Sequence, residues 1–271
     1  MNRLGLLIPF LRILFTKPSV ILKSLYHAVI NSDRKDHVIK KYNLPVGLPQ
    51  IDLLELFPEL NETIDNYTYL HGTSHPIDIV ILKQLAKRFK SCEYFEIGTW
   101  RGESIVNIAP IAAKCVSLSL SNKEMNALGY GEKFTNVQRF FSKNIGNIEH
   151  IEANSKTFDF KKWNRKFDLI FVDGDHSYEG VKSDTKNVFD LLKDENSIIV
   201  WHDYGTSYEI IDWEVLAGIL DGAPTNKHGN LYQISNSLCA VYINGKFKTK
   251  ALDYPTVPDK KFKISISAQK I

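Results

Sequence analysis

Two short polar runs follow apolar stretches in the second half of this chain. Asp173 and His176 come after residues 167–172, and His202 and Asp203 come after residues 197–201. If the two apolar stretches are neighbouring strands, their carboxyl ends bring Asp173, His202 and Asp203 to one sheet edge. Two carboxylates and an imidazole suit a divalent cation with positions left open for two substrate oxygens. The nitrogen ligand admits Mn²⁺, Fe²⁺ or Zn²⁺ beside Mg²⁺. His176 lies just beyond Asp173, and imidazole titrates in the range needed to take a hydroxyl proton. Helix capping by Asp175 or Ser177 explains part of the run. It does not explain an acid and two histidines at the ends of two successive strands.

A second chemical feature is the run Glu96-Ile-Gly-Thr-Trp-Arg-Gly-Glu-Ser104, placed after an apolar stretch and opening a helix. Gly98 permits a tight turn and close approach of a ligand. Gly102 lets the helix start near the sheet with its free N–H groups toward that ligand. The spacing is acidic-x-Gly-x-x-x-Gly, unlike the Gly-x-Gly-x-x-Gly that seats a pyrophosphate. An acid in first position suits a cationic or hydroxyl-bearing ligand and repels a diphosphate.

The elements that must position these residues alternate from about residue 77. Helices are expected over 77–89, 104–113, 179–192 and 208–220. Strands are expected over 93–97, 115–120, 148–151, 167–172 and 197–201. Strands alternating with long helices give right-handed βαβ units, hence a mostly parallel sheet with ligands at its carboxyl ends. Residues 231–234 and 238–243 flank Ser235-Asn-Ser237 and read as an antiparallel hairpin. The fold class is α/β, with helices on both faces.

The loop at Glu96 resembles motif I of class I S-adenosylmethionine-dependent methyltransferases. The resemblance spans about residues 70–245. It is strongest over Phe167-Asp-Leu-Ile-Phe-Val-Asp-Gly-Asp-His-Ser-Tyr-Glu-Gly-Val, Asp184 and Ile198-Ile-Val-Trp-His-Asp203. That combination is similar to the metal-dependent O-methyltransferase branch that includes macrolide-sugar methyltransferases and cephalosporin-pathway methyltransferase-like proteins. It implies a Rossmann-like, seven-stranded methyltransferase fold that takes S-adenosylmethionine as cofactor. The cofactor would lie along Glu96, Gly98, Thr99, Trp100, Gly102, Ser119, Asn154, Ser155 and Asp173. It also implies Mg²⁺ or Mn²⁺ on Asp173, His202 and Asp203, with His176 and Asp173 as catalytic residues. Two positions depart from the pattern. Ser119 stands where an acid normally binds ribose hydroxyls, and a hydroxyl cannot make the bidentate pair of a carboxylate. His202 stands where a carboxylate is more usual.

Other residues carry paired readings. Asn154 pairs with an adenine edge or merely forms a turn. Glu124 compensates for Ser119 or belongs to a surface helix. Asp184 is expected inward, orienting His176 or His202. Trp201 and Tyr204 wall the pocket or belong to the core. His71 and His75 lie in a loop that covers the cofactor or are simply exposed.

The 271 residues carry a formal charge of +3, with basic residues dispersed apart from Lys161-Lys162 and Lys260-Lys261, which is too little to imply a nucleic-acid partner, and none is expected. Cys92, Cys115 and Cys239 form no metal or disulfide spacing and read as buried free thiols. The expected division is a helical extension over 1–69, a cofactor-binding domain over 70–250 and a tail over 251–271. Residues 1–32 are apolar and basic with no acid, and they read as two helices divided near Pro18, with Leu4, Leu7, Ile8, Leu11 and Phe15 in phase. Arg12 and Lys17 interrupt the apolar stretch short of the ~20 residues of a membrane span. Such helices pack on their own domain or on a second copy as a homodimer. The same helices could lie on an anionic membrane, although an apolar helical stripe is more often a packing surface.

The reading is therefore an enzyme methylating a hydroxyl of a sugar, glycan or other small molecule, cytoplasmic or peripheral to the inner membrane face. Its rivals are a metal-dependent hydrolase using Asp173, His176, His202 and Asp203, and a non-catalytic binding module on the same fold.

Overall fold

A computed structural model describes residues 12–271; of the expected first helix, Leu4, Leu7, Ile8 and Leu11 lie outside the described residues. Helix α1 (Pro18–Tyr42) opens with proline in its first turn, where a missing N–H costs nothing. It runs ten residues beyond the expected end and stops at Asn43, whose φ of 56° places it in the left-handed conformation that terminates helices. Strand β1 (Gln50–Ile51) and the short helix α2 (Leu53–Leu56) follow. Thereafter strands and helices alternate. Helix α3 (Pro76–Ala86) precedes β2 (Glu93–Ile97), α4 (Glu103–Ile108), β3 (Lys114–Ser119), α5 (Asn122–Ala127) and α6 (Glu132–Thr135). Next come β4 (Ile148–Glu152), α7 (Phe160–Trp163), β5 (Leu169–Val172), α8 (Tyr178–Phe189) and β6 (Ile198–Trp201).

A small hairpin, β7 (Gly205–Ser207) and β8 (Ile210–Ile211), then precedes α9 (Trp213–Gly222). The helix expected from residue 208 therefore starts later. Asp212 caps it, accepting from the Glu214 and Val215 N–H groups, while the preceding β-branched pair Ile210-Ile211 takes the extended form. The helix expected over 104–113 ends at Ile108; Ala109 keeps helical backbone and bonds Ile105 O, but Pro110 has no N–H to carry the ladder on. Strands β9 (Leu231–Ile234), β10 (Ala240–Tyr242) and β11 (Thr249–Lys250) complete the chain's regular structure.

The sheet has nine strands in the order β11-β1-β9-β10-β6-β5-β2-β3-β4. Strands β2 to β6 pair in parallel, and β10 runs antiparallel between β6 and β9, as the hairpin pattern requires. The sheet is wider than the seven strands expected, because β1 and β11 add to the β9 edge. The N-terminal extension thus supplies a strand as well as a helix, and Ile51 and Leu53 are fully buried in the core.

Successive residues of a strand point to opposite faces, and β5 shows the consequence. Ile170 and Val172 join the apolar cluster beneath α8 and α9, with Val181, Val188, Leu216 and Leu220. Leu169 and Phe171 join the cluster on the other face, with Leu82, Leu85, Ile105 and Ile108 from α3 and α4. Cys92, Cys115 and Cys239 are buried free thiols, as expected.

Candidate active site

The sheet register decides which polar residues meet. Val172 pairs with Ile97 on one side and Trp201 on the other, so the loops after β2, β5 and β6 leave the sheet together. Two backbone bonds lock them: the Asp173 N–H donates to Ile97 O at 2.8 Å and the His202 N–H to Val172 O at 3.0 Å. Gly98 sits in this seam at φ 89°, where an added Cβ would stand 2.0 Å from the Asp173 carbonyl oxygen. Its freedom is therefore demanded by the neighbouring strand end, beyond any close approach of a ligand.

The Glu96–Gly102 loop holds unmet hydrogen-bonding capacity. Glu96 is fully buried, and its Oε2 accepts from the Tyr94 hydroxyl and the Ser104 hydroxyl, each at 2.9 Å. Its Oε1 has no partner, and neither do the buried polar atoms Thr99 Oγ1, Trp100 Nε1, Ser119 Oγ and Ser142 Oγ. Burial raises the Glu96 pKa to about 8 against the Ser104 and Tyr94 hydrogen bonds. Buried polar atoms are nearly always paired in native proteins, so those left open at Glu96, Thr99 and Trp100 in this loop, with Ser119 at the end of the neighbouring β3, fit a polar ligand. Gly102 caps α4 at φ 85°, and a Cβ there would collide with Ser142, 2.4 Å from its Oγ. Trp100 takes a φ of 44°, rare for a large side chain, and its ring lies 3.9 Å from that of Phe134.

The polar runs after β5 and β6 converge. Asp173, His176 and Asp203 bring one ligand atom each within 4.8 Å of one another, a suitable group for a divalent cation. His176 Nε2 lies 2.9 Å from Asp203 Oδ2 and 3.4 Å from Asp173 Oδ1. His176 thus joins the two acids, and His202, the imidazole expected there, reaches the same two carboxylates. His202 stands deeper: its Nδ1 lies 3.1 Å from Asp203 and 3.4 Å from Asp173, and its Nε2 lies 3.2 Å from Asp78. Asp203 itself has a φ of 54°, an unusual backbone for a residue other than glycine.

Charges in this group support one another. Burial opposes a charge on His176, but hydrogen bonds to Asp173 and Asp203 outweigh it and raise its pKa to about 10. Burial likewise opposes the charged form of His202, and Asp173, Asp203 and Asp78 together raise its pKa well above the usual value. Burial raises the pKa of Asp203, but hydrogen bonds to His176 and His202 pull it below the ordinary carboxylate range. Asp173 moves the same way, with the charge of His202 outweighing its burial.

Sequence reasoning missed the residues that hold the site's roof. Glu103 Oε1 accepts from the Thr68 N–H at 3.1 Å and from the Thr68 hydroxyl, and its Oε2 accepts from the Thr73 hydroxyl at 2.9 Å. Arg101 donates to His71 O at 3.0 Å and to the Thr73 hydroxyl at 2.6 Å, and its Nε lies 3.4 Å from Glu103. This pair pins the 68–73 loop, whose continuation brings the Ser74 hydroxyl 3.3 Å from Asp173 and the His75 ring 2.7 Å from the Tyr208 hydroxyl. The only sequence signals were an Arg-x-Glu inside the glycine loop and an acid three residues past His75.

Several expectations resolve to the plainer alternative. Asp184 is buried but makes no hydrogen bond to either histidine; neither carboxylate oxygen has a partner, and burial raises its pKa to about 6. Orienting His202 falls to Asp78 instead. Glu124 forms a capping box with Ser121, whose N–H and hydroxyl it accepts at 2.9 and 2.8 Å, so it does not stand in for Ser119. Asn154 Oδ1 accepts from the Lys156 N–H at 3.0 Å in a turn, and Ser155 beside it is half-buried. Trp201 and Tyr204 are core residues, bonded to the Thr185 hydroxyl and the Leu48 N–H.

A family model described as a methyltransferase domain matches residues 95–204, from β2 through the Asp203 loop. The described chain has the Rossmann-like form expected, a mostly parallel sheet with helices on both faces and an antiparallel C-terminal hairpin. An uncharacterized protein of Acanthamoeba polyphaga mimivirus is 27% identical over 146 residues, which are 50% of this chain and 62% of that protein. The chain thus spans less than two thirds of the curated relative it matches. Among solved structures, an O-methyltransferase from Bacillus cereus in complex with SAH is 15% identical over 65% of this chain and 84% of its own, with a TM-score of 0.45. An SAH-bound methyltransferase from Podospora anserina is 18% identical over 64% and 80% of the two chains, also at 0.45.

Proposed function

We propose that the chain is an S-adenosylmethionine-dependent O-methyltransferase acting on a hydroxyl of a sugar, glycan or other small molecule, with help from a divalent cation. The observation that carries this reading is that the loop holding the unpartnered Glu96 Oε1, Thr99 Oγ1 and Trp100 Nε1 leaves the sheet beside Asp173 of the Asp173–His176–Asp203 group. A hydrolase would use the second feature and leave the first without a purpose.

The residues fit both groups. Glu96, Thr99, Trp100 and Ser119 offer the donors and acceptors that a ligand with ammonium and hydroxyl groups needs, and Asp173 and Asp203 with His202 Nδ1 suit a divalent ion, leaving His176 Nε2 for the proton. Bound there, the cofactor supplies an electrophilic methyl group, and the cation lowers the pKa of an acceptor hydroxyl. The chain's own part is positioning and proton transfer. The Asp173–Ile97 backbone bond fixes the distance between the glycine loop and the acid–imidazole group, which would position acceptor and methyl donor relative to each other. When the acceptor hydroxyl is methylated, its proton would pass to His176 Nε2. His176 can accept it only when neutral. While Asp173 and Asp203 carry free charge, they hold its proton in place; once that charge is neutralised, the imidazole becomes a base.

Transfer of labelled methyl groups from S-adenosylmethionine to a panel of hydroxylated acceptors, with Mn²⁺, Mg²⁺ or EDTA, tests the reading. Transfer that needs the cation and is lost in Asp203→Asn and His176→Ala supports it. Equal transfer in EDTA, or by His176→Ala, contradicts the metal and base assignments.

A further inference from the structure

Helix α1 is held by the domain along only half its length. From Asn31 onward it is anchored: Asn31 Oδ1 accepts the Trp213 N–H at 3.1 Å, and the Arg34 guanidinium stands 3.8 Å over the Tyr178 ring. Val38 is fully buried, and His37, Lys41 and Tyr42 all converge on Asp221. Before Asn31 the side chains described are exposed or half-buried. Val20, Leu22, Leu25 and Val29 are each more than half exposed, and so is Phe15 in the turn of helix before Pro18. Leu22, Leu25 and Val29 follow a three-then-four spacing and share one face.

The anchors also give direction. Asn31 meets the first residue of α9, and Lys41 meets Asp221 near its end, so the two helices run side by side in the same sense. Helix α9 starts on the side of the sheet where Asp203 emerges, ten residues earlier in the chain. Residues 18–30 therefore extend beyond that side by about 20 Å at helical rise. They project from the face that carries the site.

Charge selects what covers this apolar face. Residues 12–32 contain Arg12, Lys17 and Lys23, and the first acid of the whole sequence is Asp33. Pairing two copies through this segment would bring like charges together, whereas an anionic lipid surface complements both its charge and its apolar stripe. Among the described residues no helix is long and apolar enough to cross a membrane, so contact is at the surface. We infer that residues 12–30 dock on an anionic membrane and turn the carboxyl-end face of the sheet toward it. Joined to the methyl-transfer reading, on which this last step alone rests, the acceptor hydroxyl is one presented at that surface.

Flotation of the full chain with phosphatidylcholine vesicles, with and without about one-third phosphatidylglycerol, tests the docking apart from any cofactor. Binding is expected only to the anionic vesicles and should weaken with salt. Leu22→Glu with Leu25→Glu should reduce it about tenfold or more, as should Arg12→Glu with Lys17→Glu, and all of these side chains are exposed enough to leave melting unchanged. Absence of flotation on anionic vesicles, or equal flotation by both variants, overturns the inference. So does a concentration-dependent dimer in sedimentation velocity that Leu22→Glu with Leu25→Glu dissolves while vesicles go unbound.

Discussion

The Nε2 of His202 lies 3.2 Å from Oδ2 of Asp78, a fully buried carboxylate 124 positions earlier in the chain. Asp78 also accepts the Leu238 N–H at 3.1 Å and the His75 N–H at 3.2 Å, so one side chain ties α3, the β9–β10 turn and the site together. Replacing it with alanine leaves His202 and two backbone donors without their acceptor. Asp78→Ala should lower unfolding free energy by about 3–5 kcal/mol, measured by urea denaturation. A loss below about 1 kcal/mol would mean that the pair is incidental.

The charge state of Glu96 makes stability depend on pH. Burial raises its folded pKa to about 8, above the ordinary 4.5 of the unfolded chain. Between those values the folded state binds more protons than the unfolded one, so stability falls as pH rises from about 4.5 to about 8. Glu96→Gln should flatten that part of the profile and leave the remainder in place. Thermal melts of both proteins across that range check the sign; an unchanged slope in the variant would remove Glu96 as its source.

Much of this arrangement was legible in the sequence. Long apolar runs bounded by Asp173, His202 and Glu96 mark strand ends whatever the tertiary detail, because buried parallel strands have no other composition. What stayed hidden has physical reasons. Strands β1 and β11 are two residues each, too short to show a period, and they exist only because the β9 edge receives them. The residues 205–211 hairpin gave way in the reading to a helix, since its apolar residues also fit the helical phase of α9. Asp78 and the Arg101–Glu103 clamp act through side chains from distant segments, and spacing along the chain carries no record of those contacts.

Gly98 and Gly146 are an internal comparison. A Cβ at Gly98 meets the Asp173 carbonyl at 2.0 Å with φ at 89°, whereas at Gly146 it meets nothing within 4 Å. Gly98→Ala should destabilise by on the order of 3 kcal/mol or more, and Gly146→Ala by less than about 1 kcal/mol. Similar melting temperatures for the two variants would show that the seam between β2 and β5 gives way easily.

The clamp over the site predicts a split between folding and binding. Glu103 accepts three hydrogen bonds from Thr68 and Thr73 and lies beside Arg101, so Glu103→Ala frees the 68–73 loop. Limited proteolysis should then cut that loop faster, and the variant should lose about 3 kcal/mol of stability. An unchanged cleavage pattern would show that the loop is held by something other than Glu103.

Removing the divalent cation should leave His176 protonated at neutral pH, because Asp173 and Asp203 then hold its pKa near 10. Methyl transfer in EDTA should therefore be lost at pH 7 and recover only in part toward pH 10, while the cation-loaded enzyme works near neutrality. Identical pH–rate profiles with and without the cation would contradict this coupling.

The most direct test of the central claim is calorimetric titration of the folded full chain with S-adenosylhomocysteine, the demethylated product. The unpartnered atoms at Glu96, Thr99, Trp100 and Ser119 call for one site per chain with Kd on the order of 10 μM, weakened in Thr99→Val. No binding heat at millimolar ligand, from protein shown to be folded by its melting transition, would contradict the assignment of this loop to the cofactor.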